Sequence, residues 1–183
     1  TSDSPLLVEG NTFLNNGQAM HFPAAYPQAA KYTVRFNRIY GNTVGLFAER
    51  ADDLPLPGAP GYGGDELPSQ ITATNNWWGC NAGPNAATCD SLTVESGADP
   101  AVVDQSTWLK LSITAAPTTI PADNATSSAI TTQLVQSGSN AIPAGLTAFP
   151  SASYGYVTSI GTVTPATDTQ PGGVAHSSLK SAT

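Results

Sequence analysis

The chain has 183 residues, of which 40% are hydrophobic and only 10% are charged, and its formal net charge is −7. It lacks the basic stripe that a phosphate backbone requires, so nucleic acid and anionic membrane surfaces are poor partners. It has no run of about 18 apolar residues, so we expect no membrane insertion.

The residue types favour strands. Glu, Lys, Leu and Arg, which build long amphipathic helices, are scarce, whereas β-branched residues are punctuated by 17 Gly and 15 Pro. We therefore predict an all-β fold of many short strands. No secretory signal occurs at Thr1, and the chain runs straight into a strand-like phrase at Leu7. We expect a mature or truncated piece of a longer protein.

Three segments of the first half repeat one pattern, in which a short alternating strand leads into an asparagine and a large apolar residue follows two positions later. The asparagines are Asn11, Asn37 and Asn75, at spacings of 26 and 38 residues, and the apolar residues are Phe13, Ile39 and Trp77. Repeats of this period are typical of solenoids, whose turns stack and share one core. Asparagine tolerates a left-handed bend, and stacked amides form a hydrogen-bonded ladder. We expect these asparagines to be structural.

The segment from residue 49 to 70 is rich in Pro and Gly and is predicted to protrude as a loop. Its acidic residues are candidate calcium ligands: Glu49, Asp52, Asp53, Asp65 and Glu66. They lack the D-x-D-x-D-G spacing of a calcium loop, so a solvated acidic loop is the preferred interpretation.

Cys80 and Cys89 lie nine positions apart across a turn-rich segment. With no CxxC pair and both histidines far away, a disulfide is a better interpretation than a zinc site. A disulfide implies an oxidising, extracellular setting. Trp77 and Trp78 precede this loop. Adjacent strand residues face opposite sides, and we expect Trp77 to pack in the core, which leaves Trp78 for a sugar-stacking surface.

From residue 108 onward the pattern changes to alternating strands about 10 residues apart, as in a β-sandwich. We place the domain boundary between residues 107 and 108. The sequon at Asn124 makes this residue a glycosylation candidate in a host that modifies such sites.

Two resemblances follow from these motifs. Residues 1–107 resemble right-handed parallel β-helix repeat proteins, and the phrase from Asn75 to Pro84 with Cys89 resembles the closing coil of bacterial secreted members. Residues 108–183 resemble the bacterial Ig-like domain of invasin and intimin adhesins, in the phrases 119–123, 128–134 and 161–165. This second resemblance implies a sandwich, and the chain stops at Thr183 before its last expected strand, which implies an open β edge.

These features favour an extracellular structural or adhesive protein that self-associates through open β edges into a filament or surface layer. A glycan or a cell-surface receptor is a further candidate partner. We predict neither a catalytic residue nor a cofactor, with calcium as the one candidate ion.

The alternative is a polysaccharide lyase or hydrolase, or a carbohydrate-binding module, that uses the groove of the β-helix. Its candidate carboxylates are Glu9, Glu49 and Asp52, and its candidate basic residues are Lys31, Arg35 and Arg38. Fold alone does not decide between these functions. We expect His21 to be packed or hydrogen-bonded rather than catalytic.

Overall fold

The protein is all-β, as the sequence predicts. The computed structural model describes residues 5–24, 29–51, 67–97, 99–121, 123, 125–144, 146, 157–158, 161–170 and 174–181, and beyond residue 146 it describes the backbone alone. These residues form fourteen strands and no helix. Within them, nothing resembles an apolar helix of membrane-spanning length.

The chain divides into two compact units, Thr1–Leu109 and Lys110–Thr183. The predicted boundary lies two residues earlier. The main-chain N–H of Leu109 donates to the carbonyl of Asn76 at 2.9 Å, which ties Leu109 to the first unit.

In the first unit the chain passes through three parallel sheets in turn and then returns to the first sheet. The first coil consists of β1 (Leu6–Glu9), β2 (Thr12–Leu14) and β3 (Gln18–Phe22). The second coil consists of β4 (Lys31–Arg35), β5 (Arg38–Tyr40) and β6 (Val44–Ala48). The third coil contains β7 (Gln70–Thr72) and β8 (Leu92–Val94), and β9 (Val102–Asp104) begins a fourth. The sheet orders are β1-β4-β7-β9, β2-β5 and β3-β6-β8, so every strand of the first coil is an edge strand.

The third coil is displaced by one residue from the alignment made on sequence. The N–H of Asn37 donates to Asn76 Oδ1 at 3.1 Å, so Asn76 takes the ladder position predicted for Asn75. Asn75 lies at the preceding corner, with a φ of 56°, and its carbonyl accepts the N–H of Phe36 at 2.9 Å. Two consecutive asparagines made both alignments compatible with the sequence. Their backbone conformations distinguish them, because only one position requires a left-handed residue.

The same displacement exchanges the two tryptophans. Trp77 is bridged to Arg38 and is half-buried, whereas Trp78 follows Ile39 into the core and is completely buried. The expectation that Trp77 packs in the core is therefore wrong. Gly45 provides room for the buried indole, because a Cβ there would lie 3.1 Å from Trp78 Cζ3 and 2.8 Å from Ile39 Cγ2.

The core consists of apolar columns that run along the stack of coils. The registers stack Met20, Leu46 and Leu92 in one column, Phe22, Ala48 and Val94 in a second, and Tyr32, Ile71 and Val103 in a third. One coil alone cannot bury its inner face, so the stacking of successive coils creates the core. Because β9 pairs with β7, the tryptophan-bearing coil is followed by one further strand of the first sheet.

The second unit contains one five-stranded sheet with the order β10-β11-β14-β13-β12. Its strands are β10 (Leu109–Ala116), β11 (Ser127–Gln136), β12 (Val157–Thr158), β13 (Gly161–Gln170) and β14 (Val174–Ser181). β14 runs antiparallel to both β11 and β13. Of the phrases that carry the second resemblance, 128–134 lies on β11 and 161–165 lies on β13, whereas residues 119–121 of the first phrase follow β10 outside any strand. A second, facing sheet is not among the described strands, so the sandwich remains a prediction.

Candidate functional site: the rim of the first coil

A left-handed residue followed by an asparagine marks each corner between the first two sheets. The left-handed residues are Gly10, Phe36 and Asn75, with φ angles of 71°, 56° and 56°, respectively. The asparagines that follow them are Asn11, Asn37 and Asn76. This sharp bend turns each asparagine side chain toward the neighbouring coil.

The first ladder is fully bonded at Asn37, which is completely buried. Its Oδ1 accepts the main-chain N–H of Asn11 at 2.9 Å and the Asn11 side-chain amide at 3.2 Å. Its Nδ2 donates to the Val8 carbonyl at 2.9 Å and to Asn76 Oδ1 at 3.0 Å. One side chain therefore satisfies polar groups of three successive coils, which a buried amide must do to be tolerated.

A second ladder runs through Asn16, Asn42 and Asp90 at the corner before the third sheet. Asn42 Oδ1 accepts the N–H of Asn16 at 2.8 Å and its side-chain amide at 3.0 Å. Asn42 Nδ2 donates to the Phe13 carbonyl at 3.0 Å and to Asp90 Oδ2 at 2.6 Å. In the third coil Asp90 takes the place of an asparagine. Its two carboxylate oxygens accept the hydrogen bonds from the main-chain N–H and the side-chain amide of Asn42, and the ladder ends there.

Both ladders are incomplete at the first coil. In each interior asparagine the Oδ1 atom accepts two hydrogen bonds from the preceding coil, but no described donor reaches Oδ1 of Asn11 or Asn16. The same coil carries three of the large exposed apolar side chains, Leu6, Leu7 and Leu14, which are 63%, 51% and 42% exposed, respectively. We call this edge, formed by β1, β2, β3, Asn11 and Asn16, the rim.

The predicted disulfide joins Cys80 to Cys89 with a Cα–Cα distance of 5.2 Å. It closes an insertion in the third coil, which leaves the coil after Trp78 and re-enters it at Asp90, whose N–H donates to the Trp78 carbonyl at 3.0 Å. Trp108 packs against the insertion, and its indole N–H donates to the Asn81 carbonyl at 3.0 Å. The insertion is therefore a braced structural loop.

The described part of the chain contains no group of three His, Cys, Asp or Glu residues that is suited to hold a metal ion. Of the calcium candidates, only Glu49 is described, and its Oε1 lies 2.7 Å from His21 Nε2. Asp52, Asp53, Asp65 and Glu66 lie outside the described residues, as does the sequon residue Asn124. Calcium binding therefore stays a prediction.

Four of the enzyme candidates, Glu9, Glu49, Arg35 and Arg38, form ion pairs or aromatic contacts, and Asp52 lies outside the described residues. Arg35 donates through Nε and Nη2 to Glu9 Oε2 at 3.2 and 3.1 Å, so both groups are engaged with each other. The guanidinium carbon of Arg38 lies 5.1 Å from the ring centroid of Tyr40. His21 contacts Phe47 edge-on at 5.4 Å and bonds Glu49, as expected for a hydrogen-bonded histidine.

Sequence reasoning missed the second ladder. Its signal was an asparagine five positions after each of the first two asparagines of the first ladder, at Asn16 and Asn42. The insertion closed by the disulfide moves the third member, Asp90, much further along the chain and changes its residue type. This rung is therefore hidden from a search for repeats.

No protein-family model, no curated protein and no solved structure matches this chain. The resemblance of the two halves to β-helix repeat proteins and to invasin-type Ig-like domains remains a prediction.

Proposed function

We propose that the protein is an extracellular structural or adhesive component that associates with further copies of itself through the rim. The observation that carries the proposal is the pair of unfilled asparagine ladders beside an exposed apolar edge. An unpaired strand edge is a template for another strand, and strand addition is a common mode of recognition.

Within one column of the first sheet, the exposed fraction of a side chain depends on whether neighbouring coils cover it. Leu6 of the first coil is 63% exposed, whereas Ile71 of the third coil, which has a neighbouring coil on each side, is 2% exposed. A strand laid on the rim removes apolar surface of this kind from water, which is worth about 25 cal/mol per Å². It also brings N–H donors to Asn11 and Asn16.

The second unit offers another edge that supports association. β10 is an eight-residue strand at the end of its sheet, and its Ile113 is 62% exposed. Long edge strands with an exposed apolar residue favour pairing between chains. A rim on one copy that meets a different edge on the next makes a heterologous contact, which generates open filaments when the rotation does not close.

The extracellular setting is supported by the Cys80–Cys89 disulfide, because such bonds persist in oxidising compartments. A receptor or a glycan on the cell surface is a compatible partner for an adhesive role. The net charge of −7 disfavours polyanions as partners.

Sedimentation velocity over a range of protein concentrations tests the proposal. Leu7 and Thr72 lie in one outward row, Leu7 on the edge strand and Thr72 on an interior strand. Leu7→Lys places a charge on the rim, and Thr72→Lys places the same charge at an exposed position on an interior strand of the same sheet. We expect Leu7→Lys to raise the association concentration by about tenfold or more, which corresponds to about 1.4 kcal/mol, and Thr72→Lys to leave it unchanged.

Electron microscopy of negatively stained wild-type protein should then show polymers that Leu7→Lys removes. A protein that remains monomeric at every concentration would contradict the proposal. An equal rise in the association concentration for the two lysine variants would also contradict it, because an added positive charge would then weaken association wherever it is placed. Ile113→Lys distinguishes the rim from the β10 edge as the site of contact.

The alternative, a polysaccharide-active enzyme or sugar-binding module, is tested on a panel of acidic and neutral polysaccharides with and without calcium. Glu49 beside His21, and the Glu9–Arg35 pair, are the groups to change. If turnover is detected and either Glu49→Gln or Arg35→Ala abolishes it, the enzymatic function replaces the structural one.

A further inference from the structure

One asparagine of the rim is followed by glycine. Asn16-Gly17 is the only Asn-Gly pair in the chain; it lies between β2 and β3, and both residues are exposed. The main-chain nitrogen after an asparagine can attack the side-chain amide carbon to form a five-membered ring. Glycine favours this attack, because it has no Cβ to crowd the nitrogen or restrict the backbone.

The main-chain nitrogen of Gly17 also has no acceptor among the described residues. In the second coil the equivalent nitrogen, that of Thr43, donates to the Asn16 carbonyl at 3.0 Å. The nitrogen of Trp77, which follows Asn76, donates to the Asn37 carbonyl at 2.9 Å. These interior nitrogens are held by hydrogen bonds to the preceding coil, whereas no described coil precedes Gly17.

The two amide side chains of this ladder differ in the same way. Asn16 donates one hydrogen bond from Nδ2, to Asn42 Oδ1 at 3.0 Å, and the residue is exposed. The side chain of Asn42 takes part in five hydrogen bonds, and the residue is only 8% exposed. Asn16 can therefore turn toward the next nitrogen at a small cost, and Asn42 cannot.

We infer that Asn16 is a site of spontaneous deamidation in the folded protein, whereas the interior rungs of both ladders are protected. The Gly17 nitrogen bonds to Asn16 Cγ, the Cγ–Nδ2 bond breaks, and ammonia leaves with the proton of the Gly17 N–H. One water then opens the ring at either carbonyl and gives aspartate or β-linked isoaspartate. The net change is amide plus water to carboxylic acid plus ammonia.

The product alters the rim directly. The Asn16 amide that donates to Asn42 Oδ1 is replaced by a carboxylate, which is an acceptor facing an acceptor. The isoaspartate form also adds one main-chain atom to the turn before β3. Conversion therefore weakens the first rung of this ladder and adds a negative charge to the rim, and the inference does not depend on the proposed function.

Peptide mapping by mass spectrometry tests this, with the folded protein incubated at mildly alkaline pH in ¹⁸O-labelled water. We expect labelled product at Asn16, at a rate within about tenfold of that in urea, because a single part-buried hydrogen bond of the Asn16 side chain must break. We expect Asn42 to convert at least about 100-fold more slowly than Asn16, because its five hydrogen bonds hold it in place.

Two variants distinguish the effect of the Asn-Gly sequence on the deamidation rate from the effect of the fold. Gly17→Ala should slow conversion at Asn16 without disturbing the coil, since a Cβ at residue 17 meets no atom within 4 Å. Thr43→Gly creates a second Asn-Gly pair at an exposed position, on the buried rung. In this variant we expect Asn16 alone to convert when the protein is folded, and both asparagines to convert in urea.

The inference is overturned if Asn16 of the folded protein keeps its amide while the unfolded protein converts. It is equally overturned if Asn42 of folded Thr43→Gly converts as fast as Asn16, because the open rim would then have no role. A circular dichroism spectrum matching that of the wild type establishes that each variant is folded during the incubation.

Discussion

The first and second coils are built from corresponding residues, and they differ chiefly in what lies on each side. Asn37 and Asn42 are buried between two coils, whereas Asn11 and Asn16 are exposed and have a described coil on one side only. The same side-chain amide thus uses both its oxygen and its nitrogen in hydrogen bonds in the second coil, whereas in the first coil only its nitrogen is bonded among the described residues. Position in the stack, rather than residue type, determines whether a rung stabilises the protein or remains available for pairing and chemistry.

The largest expected difference between coils lies in the apolar column of Phe13, Ile39 and Trp78. Trp78→Ala should lower the free energy of unfolding by about 4 kcal/mol, because it empties a fully buried site. Phe13→Ala, in the half-buried rim position, should cost about half as much or less. Urea denaturation measures both.

A third variant, Trp77→Ala, tests the corrected register. It should cost less than about 1.5 kcal/mol, because part of this side chain is already in contact with water. A loss for Trp77→Ala that equals the loss for Trp78→Ala would contradict the assignment of the buried indole.

The ladder asparagines give the next largest difference. Asn37→Ala should cost about 3 kcal/mol, because it leaves the N–H of Asn11 and the carbonyl of Val8 without their partner inside the stack. Asn11→Ala should cost about 1 kcal/mol or less, since water reaches its polar atoms. Chemical denaturation of the pair checks this, and equal losses would show that the ladder does not act through burial.

The disulfide loop belongs to an interior coil and should contribute less to the free energy of unfolding than the core residues do. Replacing both cysteines with serine should cost about 2 kcal/mol, mainly through the greater freedom of the unfolded chain. Thermal unfolding of the double variant against the wild type measures the loss. Any association through the rim should persist, because the loop lies in the third coil, and loss of association in this variant would place the contact elsewhere.

The sequence predicts the strand phrases, the all-β class and the cysteine pair, because each depends on local residue pattern. It does not predict the register of the third coil, since Asn75 and Asn76 satisfy the pattern equally, and only the structure separates them, through the left-handed φ of Asn75 and the burial of Trp78. Asp90 was missed for a different reason. A disulfide-closed insertion breaks the periodicity, and an acceptor of another residue type completes the ladder.

The central claim is that the rim is an unfilled version of an interior coil. Residue-level hydrogen exchange of the Gly17 amide, at low and high protein concentration, tests it most directly, with the Thr43 amide as the interior reference. We predict fast exchange of Gly17 in dilute protein, protection of Gly17 in concentrated protein, and protection of Thr43 in both. A Gly17 amide that exchanges equally fast at both concentrations, or that is already protected in dilute protein, would contradict the claim.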